Sequence, residues 1–204
     1  QNNEESILEI QYSEKAKSGD WGGWNINGNF ASLWLGPRNP VGDENAFPGW
    51  SIAVPTWDLA DAFEAGDPRK YVTIYDADAN LTSYTKGFQN TGMFNKKYMA
   101  SSKYIFQGGD PQHNFPRNFI DMRFAEVLLT AAELWLTDDP GKARDYFNRV
   151  RTRSLGEASA KTSITLDDIY NERRVEFAGE GLRKWDLLRR GLDYAAAEIN
   201  GSFH

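Results

Sequence analysis

Trp21, Trp24, Trp34 and Trp50 fall in one stretch, Gly19 to Trp50, interleaved with Asn25, Asn27, Asn29, Arg38, Asn39 and Asp43. Indole offers a broad apolar face and one N–H donor, while amide, carboxylate and guanidinium groups exchange hydrogen bonds with hydroxyls. A pyranose has the complementary build: an axial C–H face that lies on an aromatic plane, and hydroxyls at its edge. Trp21, Trp24, Trp34, Trp50, Asn25, Asn27, Arg38 and Asp43 are therefore the candidate ligand-binding residues. The competing reading gives the indoles to the core of a segment with little regular structure, since Trp is highly buried on average.

A second constellation invites an enzymatic reading. Glu172 and Glu176 stand at i and i+4 on one helix face, and a carboxylate pair is what glycoside hydrolysis requires. Both sit among arginines, with Arg173 and Arg174 between them and Arg183 and Asp186 following. A nearby guanidinium keeps a carboxylate ionised and unfit to donate a proton. Glycosidase carboxylates also face each other across a cleft rather than share a helix. The motif reads as an Arg–Glu network joining the last helices, and no catalytic residue is assigned. Asp76, Asp78 and Asn80 have calcium-like oxygen spacing, but Leu81 and Gly87 stand where an EF-hand needs Gly and Glu, so a polar hairpin turn is expected. His113, between Pro111 and Pro116, is expected on a surface loop. The chain has no Cys and only two His, which removes thiolate chemistry and argues against serine triads and His-rich metal sites. No metal ligand set and no cofactor is expected.

Composition narrows the class further. The 204 residues carry 23 Lys+Arg and 29 Asp+Glu, a net charge of −6. An acidic chain is a poor partner for nucleic acid, whose phosphates need clustered cations. No apolar run approaches the roughly 20 residues that span a bilayer. Hydrophobic residues at 40% and charged ones at 25% indicate a globular chain.

The elements that must position these residues follow from pattern. Leu8, Ile10 and Tyr12 alternate along an expected strand, Ser6 to Tyr12. Gly19 to Trp50 shows no period and holds seven Gly and three Pro, yet its aromatics argue against disorder. Thr56 is placed to cap a helix from Trp57 to Glu64, and Tyr71 to Tyr75 is expected as a second strand. Residues 85–118 are again irregular. Met122 to Leu136 is expected as a helix, with Phe124, Val127, Leu128, Ala131 and Trp135 at helical spacing. Asp139 and Pro140 are the N-cap and first position of the next, with Ala143, Tyr146, Phe147 and Val150 as its apolar stripe. The two form an αα-hairpin, which would also suit a protein-interaction scaffold. Thr165 with Asp168 resembles a capping box for a third helix ending at Gly179 or Gly181. Arg183 to Arg190 gives a fourth, closed by Gly191. The fold class expected is mainly α, with long irregular loops and a few short strands. Residues 1–118 form a loop-rich aromatic region and 119–204 a helical one, in one compact unit.

In order along the chain, several segments resemble the SusD/RagB glycan-binding lipoproteins. They are Glu5 to Ile10, Pro55 to Arg69, Arg123 to Leu129 with Ala132-Glu133, Asn148 to Arg153, Ile169 with Glu172 to Phe177, Glu180 to Arg183, and Trp185 to Arg190. The resemblance implies an outer-membrane surface lipoprotein with tetratricopeptide-like helices in its N-terminal half. It implies capture of a glycan or other nutrient beside a SusC-like TonB-dependent transporter, and membrane attachment only through a lipid anchor absent from this chain. The family's leading helical half, lipid-bearing Cys and Pro-Ile-Pro type ending are not in this sequence, so it is expected to be the C-terminal portion of a longer protein. The alternative of a carboxylate-based carbohydrate-active enzyme rests on the acidic residues and the same aromatic loop.

Overall fold

Short elements joined by long turns make up the first half of the chain, and longer helices the second. The structure is a computed structural model and describes residues 3–13, 27–104 and 110–202. In chain order, β1 (Ser6–Ile10) and β2 (Arg38–Val41) precede α1 (Trp57–Ala62) and α2 (Pro68–Thr73). Next come β3 (Ile74–Asp76), α3 (Ala77–Asn80), β4 (Ser83–Thr85) and β5 (Met93–Asn95). β6 (Phe119–Arg123) leads into α4 (Phe124–Trp135), α5 (Pro140–Leu155), α6 (Leu166–Glu176), α7 (Arg183–Arg189) and α8 (Leu192–Gly201). The strands pair as two-stranded sheets, β1 with β6, β2 with β4 and β3 with β5. This is the mainly helical class with short strands that the patterns indicate. Contacts group the chain into two compact units, one built from residues 9–56 and 72–120, the other from 3–8, 57–71 and 121–204.

In the first unit the antiparallel pair β3–β5 sets Ile74, Tyr75 and Asp76 opposite Asn95, Phe94 and Met93. Tyr75, Ala77 and Phe94 pack with Ala46 into a buried cluster. A second cluster joins Leu33, Ala100 and Phe115, with Phe30, Phe47 and Trp50 partly buried against it. The 3-10 helix Phe30–Leu35 crosses this second cluster. Residues 49–52 return along it through four backbone hydrogen bonds: Trp50 N to Leu33 O, Gly49 N to Pro37 O, Ser51 N to Gly36 O and Ile52 N to Trp34 O, each 2.7–3.0 Å. A Cβ on Gly49 would lie 2.6 Å from the Gly36 backbone, so this approach requires glycine.

The second unit is built on α4, α5 and α6, whose Ala125, Leu128, Leu129, Ala132, Phe147, Val150 and Ile169 form one buried cluster with Phe177, just past the end of α6. α5 starts where Asp139 and Pro140 predict, with Asp139 Oδ1 accepting the Lys142 N–H at 3.0 Å. Thr165 and Asp168 form a complete capping box, with Asp in the place usually held by Glu.

Four expectations need correction. Tyr71 to Thr73 is helical, because Asp67 accepts the Arg69 N–H at 2.9 Å and Pro68 opens the helix α2, while Tyr71 and Val72 are exposed. Met122 and Arg123 belong to β6 and not to the helix that follows. On α4 the buried face runs through Ala125, Leu128, Leu129 and Ala132, whereas Phe124, Val127 and Trp135 are exposed; the small residues let α4 lie close to its neighbours. His113 is fully buried, since the turn capped by Asp110 directs its ring against Phe30 at 5.9 Å between centroids.

Candidate functional site

Of the candidate residues, Trp21, Trp24 and Asn25 lie outside the described residues. The rest fall in the first unit. Trp34 sits on the Phe30–Leu35 helix and is 42% exposed. Its ring meets Phe30 edge-on at 6.0 Å, and Trp50 meets Phe30 in the same way at 5.4 Å. Phe30 thus packs against both indoles, Trp34 exposed and Trp50 half-buried against the core cluster. Arg38 is exposed, and its Nε donates to the Trp50 carbonyl at 2.7 Å. Asn27 is exposed as well, its carbonyl accepting from Ser13 N at 2.8 Å.

Asp43 is placed elsewhere. It lines a cavity of about 550 Å³ together with Asn45, Lys96, Ser101, Tyr104 and Arg117, whose apolar wall includes Met99, Phe115 and Pro116. Among the described candidates it alone lines this cavity. Its Oδ1 accepts the Asn45 N–H at 2.9 Å and its Oδ2 the Tyr75 hydroxyl at 2.9 Å. The Asn45 N–H, the Tyr75 hydroxyl and the Lys96 charge hold the Asp43 carboxyl below the usual range against the opposing effect of burial. Burial and the neighbouring Asp43 push the Tyr75 phenol up in turn, so it stays a donor. Lys96, Ser101, Tyr104 and Arg117 come from the stretch that reads as irregular. No period or motif marks them; they meet only in three dimensions, where Ser101 bridges Ala46 and Ser102 N donates to Asn45 O.

Glu172 and Glu176 belong to the second unit, buried in the ion-pair network expected of them. Arg69 bonds Glu172 at 2.5 Å and Glu176 at 3.1 Å, and Arg151 reaches Glu172 at 3.3 Å. Arg123 and Arg153 both meet Glu176 Oε1 at 2.5 Å. Arg173 and Asp186 form a further buried pair at 2.9 Å. Burial alone would raise the Glu176 carboxyl, but the charges and hydrogen bonds of Arg123 and Arg153 outweigh it and hold it at about 2. A group so acidic has no proton to give near neutral pH. Asp76 to Asn80 form a capped one-turn helix rather than a hairpin. Asp76 Oδ1 caps α3 through Ala79 N, Asp78 Oδ1 accepts from the Tyr84 hydroxyl, and Asn80 Nδ2 donates to the Asp76 carbonyl.

Residues 4–203 match the SusD family, and the chain belongs to it. A SusD-like protein of Bacteroides ovatus is 31% identical over 206 residues, which cover 92% of this chain and 34% of that protein. A solved laminarin-binding SusD-like protein is similar over 100% of this chain and 45% of its own, with TM-score 0.86 and 35% identity. Surface glycan-binding protein A from Bacteroides thetaiotaomicron, in complex with laminarihexaose, is similar over 98% of this chain and 45% of its own, with TM-score 0.82 and 31% identity. The chain therefore spans about a third of the length of the curated relative and under half of the solved ones.

Proposed function

We propose that this chain is part of a non-catalytic, cell-surface glycan-binding protein that holds an oligo- or polysaccharide for a partner SusC-like TonB-dependent transporter of the outer membrane. The observation that carries this reading is the likeness, at 35% identity over the whole chain, to a laminarin-binding SusD-like protein. The first unit supplies matching chemistry: the exposed indole of Trp34 for a sugar ring, and Arg38 for its hydroxyls. Attachment to the membrane is through a lipid anchor outside this chain, and nucleic acid has no part in the function. A β-glucan of the laminarin type is the first ligand to offer.

The test is calorimetric titration of the complete protein with laminarin and a panel of other polysaccharides, with reducing ends assayed on the same samples. Saturable binding to at least one glycan without new reducing ends is the expected result. Failure to bind any member, or steady release of reducing ends, overturns the reading. The transporter is tested separately: a TonB-dependent protein should co-purify with the tagged protein from detergent-solubilised outer membranes, and its absence removes that part.

A further inference from the structure

The cavity beside Asp43 has the properties of a binding site in its own right, and neither Trp34 nor Trp50 lines it. We propose that it is a second carbohydrate subsite, which encloses one pyranose unit of the bound glycan; the proposal rests on the glycan-binding reading above.

Its volume of about 550 Å³ lies within the range of ligand pockets, roughly 300–1,000 Å³. The lining is divided as a pyranose is divided. Met99, Phe115 and Pro116 give an apolar wall, and the exposed ring of Tyr104 gives an aromatic face at the rim. Asp43, Asn45, Ser101 and Arg117 offer hydroxyl partners of both kinds, acceptor and donor. The carboxylate is already oriented, since Tyr75 and the Asn45 N–H each occupy one of its oxygens. An ionised carboxylate has about four lone-pair sites, so each oxygen can still take a sugar hydroxyl.

Ser32 supplies independent support. Its side chain lines the cavity at 1% exposure, and its hydroxyl has no hydrogen-bond partner in the structure. A buried hydroxyl left unsatisfied is costly, and one at a cavity wall is satisfied by whatever polar group enters. The surrounding backbone is fixed, which preorganises the site: Ala46 and Ser101 form a β-bridge, and Ser102 N donates to Asn45 O at 3.0 Å. The lining holds Lys96 and Arg117 beside Asp43, whose negative charge Lys96 helps to balance. A wholly apolar ligand would strand the polar wall.

The experiment titrates laminarihexaose, and oligosaccharides of any panel glycan that the wild type binds, into the full-length protein and three variants. Tyr104→Ala removes the aromatic face. Asn45→Phe fills the cavity while keeping the backbone N–H that holds Asp43. Trp34→Ala reports on the tryptophan surface alone, and circular dichroism verifies the fold of each. Tyr104→Ala and Asn45→Phe should each weaken binding by about tenfold, as expected for loss of an anchoring contact. Wild-type affinity in both, with Trp34→Ala impaired, overturns the subsite and leaves glycan capture standing. Loss in Tyr104→Ala alone puts the sugar outside the cavity and also overturns it. A wild type that binds no glycan in the panel overturns the capture reading and the subsite with it.

Discussion

Glu176 shows most plainly how single residues divide between stability and binding here. Its carboxyl is held at about 2, against an ordinary 4.5, so the folded state keeps it ionised more strongly than the unfolded state does. That contribution is complete above pH 4.5 and is lost as the pH falls from there toward 2. Thermal unfolding followed across this window should therefore show a falling Tm, and Glu176→Gln should flatten its dependence on pH. At neutral pH the same variant should cost about 1.5–3 kcal/mol, because Arg123 and Arg153 each lose a charge-assisted bond while keeping Glu180 and Glu5 as partners. Trp34 is the opposite case: Trp34→Ala should leave Tm nearly unchanged and weaken glycan binding by about tenfold, measured by titration. That Glu176 belongs to an Arg–Glu network was legible in the arginine-rich sequence around it, but its actual partners Arg69, Arg123 and Arg153 lie far along the chain. His113 was not legible. Its turn residues suggest a surface loop, whereas the contact with Phe30 that buries it spans more than eighty positions.

At the scale of elements, the helices that announce their ends are the ones the sequence places. Asp139 with Pro140, Thr165 with Asp168, and the left-handed Gly179, Gly181 and Gly191 mark boundaries by local chemistry. Asp139→Ala should therefore destabilise the second unit by about 1 kcal/mol, read from urea denaturation, through loss of the bond to Lys142 N. Where the cap is weak or the period ambiguous, pattern misleads. Tyr71-Val72-Thr73 has strand-forming residues but sits after Asp67-Pro68, which starts a helix, and α8 follows Gly191 with no side-chain cap at all. The Gly36–Gly49 approach leaves no periodic trace either. Gly49→Ala should disrupt it, since the added methyl would meet the Gly36 backbone at 2.6 Å, and a lower Tm with altered tryptophan fluorescence from Trp34 and Trp50 is the expected readout.

For the whole molecule, the class of fold was legible because helical periods and aromatic-rich loops occupy separate stretches, while the cavity was not, because its walls come from turns brought together only in three dimensions. One property of the second unit reaches further. Its central charges are shielded: Arg69, Glu172, Glu176, Arg173 and Asp186 all have nearly inaccessible side chains. Mobile ions screen exposed charges within about 10 Å at 0.1 M and 3 Å at 1 M, but pairs from which water is excluded are screened far less. Stacking of a neutral sugar on indole carries no net charge to be screened. Dissolved electrolyte should thus act weakly on both the fold and the proposed grip on a glycan, a useful independence for the cell-surface role proposed above.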